Sequence, residues 1–459
     1  MRTDIERFFS PKSIAIIGAS QDFVTISGQP LKHILSHGYK GKLYPINPKY
    51  QEIGGVKCWP SIEALPEAPE LALILVNASR VVDMLTACGK KGIPYVIIFS
   101  SGFSETGGEG VALQQKLADI AREYNIGVIG PNCQGMINAA DSVYAGFGSV
   151  FNADYTAGSV SMVSQSGGFG FSVMNLSSLD GGLPFRQMVT TGNEIGVSTL
   201  DFMEYFIRDP KTDIIGTYIE GVKDARRILD VGDKALAAGK PILMWKVGNT
   251  EQGQKAAASH TANLGGAMAL YKAAFKQKGI IQVEDIQDLV DYGHALRSNR
   301  LPKGNRLAII TISGGAGILM TDEIVAGGMQ MAQLSPTTVA KLKEFVPSFG
   351  SVGNPVDVTA AIFNDLSLIN RTLQAINDQR LAAGRNRAEG GGRNRCRRCQ
   401  NRQADIHFLE RARRGGARSV CRAGCSAHPP VQVTGALRPR IGGGVLVCRS
   451  QTAECCAEE

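Results

Sequence analysis

Short apolar runs alternate with stretches of helical period through the first 140 residues. SIAIIGAS (13–20), GKLYPINPK (41–49), LALILVNA (71–78), YVIIFSSG (95–102) and IGVIGPNCQG (126–135) each carry a compact apolar run and end on Gly, Pro, Asn or Ser. Between them, SRVVDMLTACGKKG (79–92) and GVALQQKLADIAREYN (110–125) place apolar residues three and four apart, the helical spacing. Strands buried on both faces read as such unbroken runs, and their alternation with helices predicts a doubly wound parallel sheet. Ligands of such sheets sit at the carboxyl ends of the strands, where these small polar residues fall.

The pattern then restarts. GSVSMVSQSGGFGFSVMNLSSL (158–179) predicts strand, tight turn and helix; IIGTYIEG (214–221) and PILMWKVGN (241–249) predict buried strands flanking a helix over DARRILDVGDKALAAG (224–239). NRLAIITISGGAGILMTDEIVAGG (305–328) opens a third strand–glycine–helix unit, followed by NPVDVT (354–359). The expected domains are 1–143, 150–298 and 304–379, the last cut short, with a separate tail over 380–459.

Composition changes the picture mainly for that tail. At 459 residues and 44% apolar, the chain is globular, and no run approaches the roughly 18 apolar residues of a membrane helix. The amino terminus has early acids and no signal-peptide pattern, so a cytoplasmic protein is expected. The net charge of +8 is misleading: the last 80 residues hold 16 arginines, no lysine and six acids, which leaves the body near −2. Seven of the ten cysteines also lie there. Two readings fit the tail. One is a basic RNA-binding arm with Cys396 and Cys399 as half a zinc site; the other is a gene read out of frame after about Gln379. The patternless Arg, Gly and Cys favour the second, and no packed domain, nucleic-acid partner or metal site is expected.

Three stretches carry candidate chemistry. In IIGASQDF a strand runs into Gly18, Ala19 and Ser20, which lets backbone N–H groups approach a phosphate. The G-x-G-x-x-G run of NAD sites is absent, and the second strand ends at Asn47 and Lys49 instead of an acid for a ribose hydroxyl. Lys49 suits an extra ribose phosphate, as in coenzyme A or, less well, NADP. A ligand-free turn of the same shape is the plainer alternative. In SMVSQSGGFG, residues Ser164, Gln165, Ser166, Gly167 and Gly168 form a candidate anion site at a helix amino end, against the plain reading of a serine cap. In AAASHTANLGG, His260 stands among small residues; a neutral imidazole there is a competent nucleophile, although a lone histidine is commonly packing or surface. Glu220 offers a carboxylate at a strand end that could orient it.

In order along the chain, GASQDF, YPINPK, SSGFSE, GPNCQG, SQSGG, GNEIGVSTLDFMEYFIRDPKT, YIEG, SHTANLGG, SGGAG and NPVDVT resemble the α-subunit portion of NDP-forming acyl-CoA synthetases, relatives of succinyl-CoA synthetase. The resemblance runs from about residue 7 to 379. It implies an α/β fold with a Rossmann-like CoA-binding domain followed by two flavodoxin-like domains. It implies a CoA site lined by Gly18, Ala19, Ser20, Asn47, Lys49, Ser100, Ser101 and Asn132. His260 falls at the family's phosphohistidine, Glu220 at the carboxylate that orients it, and Ser166, Gly167 and Gly168 at the helix end that holds its phosphate. The implied reaction joins a carboxylic acid to CoA through an acyl phosphate. ATP or ADP and Mg²⁺ would be handled by an ATP-grasp module, of which this sequence shows no trace, so a β subunit or a fused domain is expected, and an oligomer with it. A non-catalytic CoA-binding or regulatory protein and a truncated relative of a fused ligase or protein acyltransferase are the alternatives; an NADP oxidoreductase is disfavoured by the missing glycine fingerprint.

Overall fold

The computed structural model describes residues 4–250, 252–253, 268–298, 301–302 and 304–388, with side chains as far as 378. It divides into two units, Met1–Leu301 and Pro302–Glu459.

The first unit holds two sheets. After a short helix α1 (Ile5–Phe9), strands β1 (Ser13–Ile17), β2 (Lys42–Ile46), β3 (Leu71–Ile74), β4 (Tyr95–Ile98) and β5 (Gly127–Ile129) form an all-parallel sheet in the order β2-β1-β3-β4-β5. Every residue of β1, β3, β4 and β5 is buried, which is why each reads as an apolar run. Helices α2 (Gln29–Ser36), α3 (Ala78–Lys91) and α4 (Glu109–Glu123) connect them. β1 leads to β2 on one side, and the chain then crosses to β3 on the other. The topological switch point therefore lies between β1 and β3.

The second sheet has seven strands. β6 (Gly135–Asn138) and β7 (Val143–Gly146) make a hairpin, followed by β8 (Val160–Ser164), β9 (Phe185–Thr190), β10 (Ile214–Ile219), β11 (Ile242–Lys246) and β12 (Ile281–Gln282), in the order β12-β11-β10-β8-β9-β6-β7. β8 to β12 pair in parallel, as the sequence pattern implies. The hairpin is antiparallel to β9 and caps the edge, so this sheet is mixed. Its residues directly follow β5, yet they pair with the second sheet, because Gln134 N–H and Gly135 N–H both donate to the Thr190 hydroxyl at the end of β9 (2.9 and 3.2 Å). Helices α5 (Gly167–Leu179), α6 (Thr199–Arg208), α7 (Arg226–Ala238), α8 (Met268–Lys278) and α9 (Ile286–Arg297) cover this sheet. α6 begins on a capping box: Ser198 and Asp201 each satisfy the other's backbone N–H. Its apolar face places Phe202 beside Phe8 and Phe9, with ring centroids 5.5 and 5.7 Å apart, in a core cluster that spans both sheets.

The second unit pairs β13 (Arg306–Leu307) with β15 (Gln330–Met331), and β14 (Ile310–Thr311) with β16 (Val356–Asp357), both in parallel. Helices α10 (Gly314–Ala326), α11 (Pro336–Lys343) and α12 (Ser367–Ala388) complete it around Ile310, Leu342, Val346, Val356 and Val358. The tail beyond residue 388 lies outside the described residues. Among the described residues no helix is long and apolar enough to cross a membrane, and no group of three or more His, Cys, Asp and Glu side chains could hold a metal.

Candidate functional site

The carboxyl edge of the first sheet gathers the residues read as a CoA site. Gly18 follows β1 with φ +88°, and a Cβ there would stand 2.9 Å from the Leu75 carbonyl oxygen across the switch point. Only glycine leaves that crevice open. Asn47 ties the neighbouring loop to it: Nδ2 donates to the Ala19 carbonyl (2.8 Å), while Oδ1 accepts from Lys49 N–H (3.0 Å). The Asn47 side chain thus fixes where Lys49 begins, and the Lys49 ammonium itself is exposed. Ser20 is held by Asp22 N–H, which donates to its hydroxyl at 3.1 Å. Farther along the same edge, Asn132 N–H donates to the Ser100 carbonyl (3.0 Å), and Asn132 adopts φ +60°. The Ser100 hydroxyl donates to the Val76 carbonyl, and Ser101 is exposed. These eight residues form two groups, at the ends of β1 and β2 and at the ends of β4 and β5. The glycine-lined opening and the exposed cation at the ends of β1 and β2 fit a ligand that carries phosphates.

The second site lies at the switch point of the second sheet, between β8 and β10. Here the five residues read as an anion site divide. Ser164 is fully buried, and its hydroxyl donates to the Ser166 carbonyl (2.7 Å). Gln165 is 5% exposed and turns inward: Oε1 accepts from Glu220 N–H (2.6 Å) and Gly221 N–H (3.2 Å), while Nε2 donates to the Gly221 carbonyl (2.7 Å). Both side chains are thereby committed to the fold. Ser166 caps α5 in extended backbone without a side-chain cap bond, and a Cβ on Gly168 would meet nothing within 4 Å. Ser166, Gly167 and Gly168 open the 13-residue helix at its positive end; a Cβ on Gly167 would stand 3.0 Å from Gln134 Cβ, so Gly168 is the one that borders open space. Gly170 serves packing: a Cβ would lie 2.4 Å from Ser164 Cβ.

Glu220 follows β10, so the Gln165 carboxamide holds its backbone against the start of α5. Tyr218, two residues before Glu220, pairs across from β10 to Trp245 on β11. The Phe169 ring covers them from the helix, with centroids 4.6 Å from Tyr218 and 5.1 Å from Trp245. Burial, with the Glu220 charge adding to it, pushes the Tyr218 phenol up to about 12. Burial lowers the Lys246 ammonium from its ordinary value, with the Glu220 charge acting the other way. His260 lies outside the described residues.

Sequence reasoning passed over two groups at this edge. Lys246 ends the apolar strand ILMWK and is 2% exposed; a charge closing an apolar run was its signal. Glu194 follows GN in the loop after β9 with φ +56°, and its carboxylate accepts from Thr191 Oγ1 (2.9 Å) and Thr199 N–H (2.8 Å). A buried glutamate in left-handed backbone is a strained position of the kind that collects at functional edges.

Comparison with known proteins fits this architecture. Three family descriptions match in order: a CoA binding domain over residues 12–139, a succinyl-CoA ligase like flavodoxin domain over 157–296 and a ligase-CoA domain over 307–381. The α subunit of ADP-forming acetate–CoA ligase II from Pyrococcus furiosus is 37% identical over 357 residues, covering 78% of this chain and 76% of that one. The chain belongs to the ADP-forming acetate–CoA ligase family. ADP-forming acetate–CoA ligase I of Archaeoglobus fulgidus is 38% identical over 77% of this chain, which spans half (50%) of that relative's length. Among solved structures, the dinucleotide forming acetyl-coenzyme A synthetase 1 of Ca. Korarchaeum cryptofilum, in complex with phosphate and ADP, superposes with a TM-score of 0.72. It is 36% identical, covering 78% of this chain and 76% of that one. The family accounts for both sheets: the model of its CoA-binding domain matches the first, and that of its flavodoxin-like domain matches the strands from β8 to β12.

Proposed function

We propose that this chain is the CoA-binding and phosphoryl-carrying part of an ADP-forming acid–CoA ligase, built from domains at 1–143, 150–298 and 304–379. The overall reaction is carboxylic acid plus CoA plus ATP to acyl-CoA plus ADP plus phosphate, in either direction. In the ATP-yielding direction, phosphate attacks the acyl-CoA carbonyl; the C–S bond breaks, CoA leaves as its thiol, and an acyl phosphate forms. A His260 ring nitrogen then attacks phosphorus and the carboxylate departs. Finally ADP takes the phosphoryl group and the imidazole is restored.

The observation that carries this reading is the Gln165 bridge. It ties the Glu220 backbone to the turn that opens α5, which supports a carboxylate that orients one imidazole nitrogen while the helix amino end suits the phosphoryl oxygens. Gly18, Ala19, Ser20, Asn47, Lys49, Ser100, Ser101 and Asn132 are the proposed CoA contacts. Nucleotide and Mg²⁺ would be held by an ATP-grasp module on a β subunit or a fused segment. The working form is then an oligomer of the two kinds of chain, in the cytoplasm. The test is to combine the chain with an ATP-grasp β subunit of the family, radiolabelled ATP and Mg²⁺. Acid-labile label is expected at His260 and absent in His260→Ala. No label at His260, or full ligase activity in the variant, overturns the assignment.

A further inference from the structure

The loop that follows β9 touches both candidate sites. Thr191 N–H donates to the Ser164 carbonyl (2.9 Å) and Gly192 N–H to the Gln165 carbonyl (3.2 Å), at the turn that opens α5. Asn193 N–H then donates to the Pro131 carbonyl (3.0 Å) and Ile195 N–H to the Gly130 carbonyl (3.1 Å), in the loop that carries Asn132. Gly192 adopts φ +54°, and a Cβ there would stand 2.2 Å from the Pro131 carbonyl oxygen. The two backbones meet so closely that only glycine fits.

The Asn193 side chain carries the connection on to the edge of the first sheet. Its Nδ2 donates to Glu105 Oε2 (2.5 Å) and to Gln114 Oε1 on α4 (2.9 Å), and its Oδ1 accepts from Asn132 Nδ2 at a longer 3.4 Å. The other Glu105 oxygen accepts from Gly102 N–H (2.7 Å) and Phe103 N–H (3.2 Å). The carboxylate thus closes the turn entered through Ser100 and Ser101. Burial pushes the Glu105 carboxyl up, but the Asn193 amide and those backbone donors outweigh it, and the net direction is down.

Backbone bonds alone would seat this loop against both neighbours whatever side chain stood at 193. The carboxamide adds a charge-assisted link between the loop and the Ser100–Ser101 turn. Exchange of CoA for phosphate on an acyl group needs the sulfur and a phosphate oxygen within reach of one carbon, so the two edges must keep a fixed spacing.

We propose, on the reading of the two sites given above, that Asn193 is a positioning residue for the acyl-exchange step: through Glu105 it sets the CoA edge of the first sheet against the α5 turn of the second. Phosphoryl transfer from nucleotide makes no use of this link.

The test uses the full chain with its β partner and compares two rates, beside thermal unfolding. One is phosphoryl labelling of the chain from radiolabelled ATP and Mg²⁺. The other is phosphate- and ADP-dependent release of CoA from whichever of a panel of short-chain, branched and aryl acyl-CoAs wild type turns over fastest. Asn193→Ala keeps the backbone bonds of the loop, so labelling should stay within about twofold of wild type while kcat for CoA release falls at least about tenfold. Asn193→Asp opposes two carboxylates, and Glu105→Gln opposes two amide nitrogens, so each alone should lose kcat. Together they reverse the donor and acceptor, and kcat should return to within about threefold of wild type. Wild-type kcat in Asn193→Ala, equal losses in both rates, or a paired variant no faster than either single one overturns the proposal. So does failure of Asn193→Ala to fold, which would make the amide structural. Wild type that neither takes label nor releases CoA would instead sink the functional reading itself.

Discussion

The Gln165 carboxamide accepts from the backbone N–H of Glu220 at 2.6 Å, binding two loops that stand 55 residues apart. With the bonds to Gly221, both ends of the amide are engaged and it is buried. Its loss leaves two N–H groups and a carbonyl to find other partners. Gln165→Leu should therefore cost about 2–3 kcal/mol, from several hydrogen bonds near 1 kcal/mol each. Urea unfolding measures that loss. In whatever fraction remains folded, phosphoryl labelling should fall more steeply than CoA binding, because the loop that moves carries Glu220. Equal losses in both would show that Gln165 supports the fold and nothing local.

Gly168 and Gly170 separate ligand space from packing space within one helical turn. A methyl at 168 meets nothing within 4 Å, whereas at 170 it would stand 2.4 Å from Ser164 Cβ. Gly170→Ala should lower stability by about 1–3 kcal/mol, the usual cost of overpacking. Gly168→Ala should leave the melting temperature unchanged or raise it, since alanine is the better helix former by about 0.5–1 kcal/mol. If the open face is where phosphate sits, that same alanine should slow labelling at least about tenfold, a loss of roughly 1.4 kcal/mol in transition-state binding. Normal labelling in Gly168→Ala would remove this turn from the site.

Much of the scaffold was legible because parallel strands buried on both faces advertise themselves. SIAII, LALI and YVII can hardly be anything else, and SIAII runs straight into Gly18, which keeps the crevice open. The hairpin of residues 135–146 was not legible, since its two four-residue strands are short and join a sheet whose other strands come later in sequence. Ser164 and Gln165 invited a reading as ligand groups by residue type and place. Ser164 spends its hydroxyl locally on the Ser166 carbonyl, whereas the turn of Gln165 depends on β10 lying beside β8, and nothing local encodes that neighbour. Lys246 is the converse case: the sequence displays the charge, but only the fold shows that it is buried, with the Tyr271 ring centroid 5.0 Å from its ammonium.

Arg186 and Asp209 form a buried pair, Nε to Oδ2 at 2.9 Å, with the residues 9% and 8% exposed. Burial pushes the Asp209 carboxyl up, but the Thr212 hydroxyl, the Lys211 amide and Arg186 outweigh it, and the net direction is down. A carboxyl lowered on folding adds stability that is fully present above its unfolded value of 3.8 and is lost as pH falls through the folded value. Asp209→Asn should therefore destabilise at neutral pH by about 3–5 kcal/mol, as when one partner of a buried pair is removed. The penalty should shrink only below about pH 4. Urea midpoints of both proteins measured between pH 3 and 7 give the comparison, and a penalty that is flat down to pH 3 would contradict it.

Lys49 offers the cleanest test of what the first sheet binds. Its backbone is fixed by Asn47 while its ammonium stays in solvent, so removing the charge leaves the fold alone. A point charge at the end of the second strand suits a phosphate on the ribose, which CoA carries and dephospho-CoA lacks. Wild type should bind CoA several-fold more tightly than dephospho-CoA, in keeping with about 1 kcal/mol for one solvent-exposed ion contact. That preference should weaken at high salt. Lys49→Ala should bind the two ligands equally, at the wild-type affinity for dephospho-CoA, with an unchanged melting temperature. Calorimetric titration of both ligands against both proteins gives the four constants. If the alanine variant still prefers CoA by the wild-type ratio, another cation reads that phosphate, and Lys49 leaves the site.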